Sequence, residues 1–338
     1  MRAAIYHGVR DIRVEEVPRP RLEAGFLLVE MKRCGICGSD VHSYNGLWEQ
    51  PTIAHGHEVS GVVAECGEGV GEFRVGDRVC MEWFSHCGTC RFCRVGKYNL
   101  CNSLARTSGK SHAGFADFVV AHQSSLFRLP DSLSFEEGAL VEPLAVSYRA
   151  VRRSSREALG TLLVIGAGTI GLLAVSVARA LGARAIIASA RHDHQAALAS
   201  RFGAAEVLRE NVAQKVINTY GGADAVIETT ASPAGLHEAF TSVRKGGRVV
   251  LVGGFVKSLD VDLKSIVDNE LSVLGSFCYG YSGMRRDFDS SIELIASRKV
   301  LVRELITHRF GLAAIATAFE TALDKNSRSV KVEICQEM

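Results

Sequence analysis

The chain has 338 residues, 47% of them hydrophobic, and a formal net charge of +2. That length is enough for two domains and that apolar share for a sizeable core. The near-neutral, well-mixed charge provides no field for nucleic acid or an acidic membrane, so neither is expected as a partner. No apolar core with a cleavage site follows Met1, and the longest apolar runs, 162–165 and 170–178, fall short of the ~20 residues that span a bilayer. A cytoplasmic location is therefore expected, and in a reducing compartment the ten cysteines point to metal or catalysis rather than disulfides.

Residues 3–6, 12–16 and 26–32 read as short strands, parted by Pro18, Pro20 and a turn at Gly25. The run Cys37-Gly38-Ser39-Asp40-Val41-His42 then puts a thiolate, a hydroxyl, a carboxylate and an imidazole close together. Alone it reads as metal ligand, as plain turn, or, with Cys34, as a C-x-x-C redox centre. Next comes His55-Gly56-His57-Glu58. Neighbouring residues on a strand face opposite ways, but at a bend His57 and Glu58 can aim at one ion. With Cys37 they offer sulfur, nitrogen and oxygen donors, a set that suits zinc. The bland alternatives are a solvated polar turn and a small buried thiol. Further strands at 59–67 and after 76–79 complete a small β-barrel-like domain with frequent glycine.

Cys87, Cys90, Cys93 and Cys101 follow in the pattern C-x2-C-x2-C-x7-C. Four thiolates at this spacing close a tetrahedral zinc site with no open position, which makes the site structural. A nucleic-acid-binding zinc ribbon is the competing reading. It is disfavoured because only Arg91, Arg94 and Lys97 lie nearby.

Beyond residue 129 the texture changes. Ser134 with Glu137 marks a helix start. After Pro143 the pattern alternates strand and helix. A continuous apolar strand at 161–165 leads into Gly166-Ala167-Gly168-Thr169-Ile170-Gly171 and then a helix at 172–181. This is G-x-G-x-x-G in its required context, so Gly166, Gly168, Thr169, Ile170 and Gly171 are candidates for holding a dinucleotide pyrophosphate. At the end of the next strand, where NAD enzymes carry an acid for the ribose 2′-hydroxyl, stands Ala190, flanked by Ser189 and Arg191. A hydroxyl and a guanidinium welcome a 2′-phosphate, which favours NADP(H) over NAD(H). Otherwise Arg191 stacks on adenine and both cofactors serve. Strands at 223–228, 247–254 and 271–276 complete a doubly wound parallel sheet. From about 279 come helical segments and a last strand at 330–334 that returns to the first domain.

Together these residues resemble the zinc-containing medium-chain dehydrogenase/reductase superfamily, nearest its sorbitol (polyol) and threonine dehydrogenase branch. Cys37-Gly38-Ser39-Asp40-Val41-His42, Gly56-His57-Glu58, residues 136–144 and Thr307-His308-Arg309-Phe310 carry the likeness. The resemblance implies an α/β protein: a GroES-like β-rich catalytic domain, 1–145 and 279–338, interrupted by a doubly wound Rossmann domain, 146–278, with the active site in the cleft between them. It implies two zincs per chain. Cys37, His57, Glu58 and Glu142 would serve the catalytic one, Glu142 either as ligand or by holding the zinc-bound water. Asp40 would orient His57, Ser39 would relay the proton and His42 release it, and Lys331 would sit near the pyrophosphate. Cys34 matches no ligand, so the redox reading falls.

The expected activity is hydride transfer between NADP(H) and a secondary alcohol or polyol, or the matching ketone. The alternative within enzymes is an NAD-dependent threonine- or butanediol-type dehydrogenase; outside them, a non-catalytic nucleotide-binding protein. Cys278-Tyr279 stands where the sorbitol branch has Arg-Tyr, and Ser43 replaces an aromatic, so sorbitol itself is disfavoured. Trp83 and Phe84 are either an apolar pocket wall or core. A sheet edge near 271–277 offers pairing into a homodimer or homotetramer.

Overall fold

The structure, a computed structural model, describes residues 1–106, 114–155 and 160–336. The chain forms two compact units. The first holds Met1–Glu142, Phe288–Ala296 and Val302–Met338; the second holds Pro143–Asp287 and Ser297–Leu301. The chain thus divides after 142 and 287 rather than after the expected 145 and 278. The shift at 287 has a visible cause. Asp287 is buried, and its carboxylate accepts from Gly280 N at 2.7 Å, Ser282 Oγ at 2.6 Å and Arg149 Nη1 at 3.3 Å. These bonds tie the preceding loop to the helix Val141–Ser154.

The first unit is built on a seven-stranded sheet. Its centre is Phe26–Gly35, which pairs antiparallel with Glu58–Cys66, Phe118–His122 and Lys331–Cys335. Leu27, Val29 and Met31 share one face of it and are at most 1% exposed; Leu28, on the other face, is buried as well. The first three pack with Val59, Val63, Val79 and Ile334. The Phe319 ring lies 5.0 Å from Tyr44 and 5.6 Å from Phe115, closing one side. Two strands of this sheet come from the far end of the sequence. The returning strand runs Lys331–Cys335, and a strand that sequence reading passes over, Ile306–Gly311, pairs parallel with it.

Within this sheet Glu333 is buried, and among the described residues neither of its oxygens has a hydrogen-bond partner; Arg33 Nε, likewise without one there, stands 3.6 Å away. Burial, with Glu136 adding to it and Arg33 and Arg309 opposing, pushes its pKa up to about 8. The folded chain therefore keeps a proton that the unfolded chain releases near the ordinary value of 4.5. Stability from this group must fall as pH rises through that window. Glu333→Gln should raise the melting temperature at pH 8 and lose that advantage by about pH 4.5. Melting curves across that range would show a constant offset if Glu333 were charged throughout.

The second unit carries a six-stranded, all-parallel sheet. Its order is Glu206–Leu208, Ala185–Ser189, Thr161–Ile165, Ala223–Glu228, Val243–Leu251, Ser272–Gly275. The first-made strand sits in the interior and the order reverses beside it, the doubly wound arrangement in which ligands bind beyond the carboxyl ends at the switch point. Thr161–Ile165 is buried at every position, as a strand covered on both faces must be. Glu206–Leu208 went unanticipated; three residues leave no periodicity to read.

Candidate active site

Cys37 precedes the short helix Gly38–Tyr44 in extended conformation. Gly56 takes a φ of +45°, bending the chain just ahead of His57 and Glu58, and Glu58 opens its strand. That bend lets two adjacent side chains face one point. Donor atoms of Cys37, His57 and Glu58 all lie within 4.8 Å of one another. Asp40 braces two of them. Its Oδ2 accepts the Cys37 N–H at 2.8 Å, and its Oδ1 stands 3.6 Å from His57 Nδ1.

The charges suit a divalent cation. Burial alone would lower the His57 pKa, yet Asp40, Cys37 and Glu142 hold it well above the usual imidazole value. Burial pushes Glu142 up to about 7, with Glu58 and Asp40 adding to it against His57 and Lys331. Sulfur, nitrogen and oxygen donors that converge in this way are a set that suits zinc. Glu142 is 5% exposed, in the first turn of Val141–Ser154, but stands outside the three-residue group.

Lys331, expected near the pyrophosphate, has its partners in the first unit. It is 2% exposed, and its ammonium donates to Glu58 Oε1 and Oε2 at 2.7 and 2.6 Å and to the Ile36 carbonyl at 2.9 Å. Three protons meet three acceptors, so nothing remains for a pyrophosphate. Sequence reading missed the partnership because it is made by strand pairing, not by spacing.

Ser39 and His42 lie three residues apart on the helix Gly38–Tyr44, hence on one face. His42 packs against Trp48 with ring centres 5.1 Å apart, and partial burial lowers its pKa, leaving it neutral at pH 7. Trp83 stands 6.4 Å from the His57 ring, beside the group of candidate metal ligands. Phe84 is fully buried against Tyr98 and is core.

The four cysteines form a second group. Their sulfurs are 3.5 Å (Cys87–Cys101), 3.6 Å (Cys90–Cys93), 3.9 Å (Cys90–Cys101) and 4.0 Å (Cys87–Cys93) apart. A tetrahedron with zinc–sulfur bonds of about 2.3 Å has edges of about 3.8 Å, so the spacing fits zinc and excludes disulfides. Backbone N–H groups of Cys90 and Thr89 favour the Cys87 thiolate, taking its pKa down to about 6.

In the second unit, Gly168 precedes the helix Thr169–Ala180, and a Cβ there would meet nothing within 4 Å, leaving the approach to Thr169 and Ile170 open. A Cβ on Gly171 would sit 1.8 Å from the Gly166 carbonyl. Only glycine lets helix and strand meet this closely, which aims the helix N-terminus at the loop. Ser189 ends its strand, Ala190 is buried and Arg191 is exposed. Sequence reading did not single out His192 and His194, whose rings stack at 5.7 Å, or the Asp193–Arg209 ion pair, all just beyond that strand end.

A GroES-like β unit with a three-donor metal-binding group, together with a Rossmann unit with an open glycine loop, defines a zinc-type dehydrogenase acting on CH–OH groups. Residues 23–131 match the alcohol dehydrogenase GroES-like domain family and residues 169–297 the zinc-binding dehydrogenase family. The chain is 35% identical to sorbitol dehydrogenase of Bacillus subtilis, over 99% of its own length and 97% of that enzyme. It is also 35% identical to that organism's (R,R)-butanediol dehydrogenase, covering 92% and 95%. Among solved structures it superposes at TM-score 0.87, with 29% identity and 99% and 98% coverage, on a Sinorhizobium meliloti protein described as a zinc-binding dehydrogenase bound to NADP. The chain belongs to the zinc-containing medium-chain dehydrogenase superfamily, in its sorbitol dehydrogenase-like branch. Among the described residues no helix is long and apolar enough to cross a membrane.

Proposed function

We propose that the protein is a two-zinc dehydrogenase that transfers hydride between NADP(H) and a secondary alcohol or polyol, or the matching ketone. The observation that carries the reading is the group Cys37, His57 and Glu58, whose donor atoms lie within 4.8 Å of one another beside the Gly56 bend. A zinc ion held there supplies Lewis acidity that lowers the pKa of a hydroxyl presented to it. Asp40 fixes the orientation of His57. Glu142 lies outside the trio, so its part is to hydrogen-bond at the substrate side. Ser39 accepts the substrate proton and His42, neutral at pH 7, carries it outward. The N–H groups at Thr169 and Ile170 hold the pyrophosphate.

The cofactor preference rests on Ala190, which brings no acid to the strand end, and on exposed Arg191 beside Ser189. The NADP bound by the Sinorhizobium protein agrees with this. A charged hydrogen bond contributes about 1.5–3 kcal/mol, so Arg191→Ala should raise the KM for NADPH about 10- to 100-fold. The KM for NADH should change little. Steady-state kinetics with both cofactors decide it, and equal effects would sink the 2′-phosphate assignment.

The substrate is a smaller, less hydroxylated alcohol than sorbitol. Trp83 beside His57 is bulky and apolar, and Cys278 replaces the arginine expected of a polyol site. Among the described residues the strand Ser272–Gly275 has one neighbour, and Val273 and Phe277 beside it are exposed at 36% and 48%. We assign this edge to pairing with a second copy.

A further inference from the structure

Glu58 and Lys331 are buried together, 1% and 2% exposed. Both carboxylate oxygens lie within 2.7 Å of the ammonium. The backbone is shaped for this. In the sheet register Gly35 stands between Glu58 on one side and Glu333 on the other. A Cβ on Gly35 would fall 2.0 Å from Glu58 Oε2. The carboxylate therefore lies over a glycine, held from one end by lysine, while one of its oxygens stays within 4.8 Å of the donors of Cys37 and His57. Stability does not account for such an arrangement. A buried ion pair is commonly no better than apolar residues of the same volume, and the surrounding strands are apolar. An outer partner that orients a ligand carboxylate does account for it.

We propose that Lys331 is a positioning residue of the metal site, holding the Glu58 carboxylate turned toward Cys37 and His57 so that a divalent cation meets a preset ligand. The inference rests on the reading of these three residues as ligands. It differs from a role in nucleotide binding, because every proton of the ammonium is already used within the first unit.

Lys331→Met keeps the stem and removes the donors. In the purified holoenzyme, zinc affinity is measured by competition with a chromogenic chelator. One zinc per chain should bind about 10- to 100-fold more weakly, while the four-cysteine zinc is retained and reports that the chain is folded. Lys331→Gln is read the same way should the methionine variant not accumulate. In a Glu58→Gln background the lysine substitution should add less than about threefold, since a residue that acts through Glu58 has nothing left to position. Unchanged zinc affinity in Lys331→Met, or effects that simply multiply in the double variant, would overturn the proposal. A wild-type chain holding a single zinc would overturn the ligand reading itself and the inference with it, a result seen before any variant is made.

Discussion

Replacing Cys37 with serine should cut turnover at least about a thousandfold while leaving both units folded. A catalytic metal contributes several kcal/mol to the barrier, and each 1.36 kcal/mol is about tenfold in rate. Serine is nearly the size of cysteine but brings no thiolate. The bond from its backbone N–H to Asp40 Oδ2, 2.8 Å in the native chain, survives the substitution, so the helix Gly38–Tyr44 keeps its start. Zinc content should drop from two per chain to one with an unchanged circular dichroism spectrum. Kinetics on a panel of secondary alcohols and polyols, read beside metal analysis, check it. Retained turnover with one zinc lost would mean the chemistry lies elsewhere.

Cys93→Ser should do the opposite. The helix Arg91–Arg94 has no buried residue, and the neighbouring segments Phe84–Ser85 and Tyr98–Leu100 are only two and three residues long. Phe84 and Tyr98 anchor the edges of this lobe, but the cysteine-bearing turn between them depends on its metal for order. Losing a structural metal belongs among the largest single-site effects, about 4 kcal/mol or more, so the melting temperature should fall on the order of 10 °C. Turnover per folded molecule should stay near wild type at low temperature. A variant that melts normally but has lost turnover would mean that the two cysteine sites have exchanged roles.

Much of the site is legible in the sequence because its chemistry is local. The glycine loop must follow a strand and open a helix, and four thiolates that share an ion must be closely spaced. His57 and Glu58 are adjacent, and the Gly56 bend that makes adjacency useful is itself written beside them. What escapes is what strand pairing creates. Lys331 reads as a late, solvated or phosphate-facing lysine because nothing near it in the chain names Glu58. The strand Ile306–Gly311 has only Ile306, buried, and Phe310, half-buried, as apolar residues, too short a pattern to stand out from the helical segments around it. Asp287 moves the unit boundary through bonds to Gly280, Ser282 and Arg149, and the last of these is set by tertiary contact alone.

The same pairing has a consequence for the order of assembly. Lys331 follows Glu58 by 273 positions, and the whole of the second unit is translated between them. During synthesis the second unit has all its strands in hand long before the first unit does. Closing so long a loop is slow relative to local strand pairing. Glu58 therefore waits, without its counter-ion, through the making of an entire domain, and its pairing with Lys331 is among the last contacts of the first unit to form. The three donors Cys37, His57 and Glu58 are made early, as are the four cysteines at 87–101; only the Lys331 brace on Glu58 has to wait for the last strand.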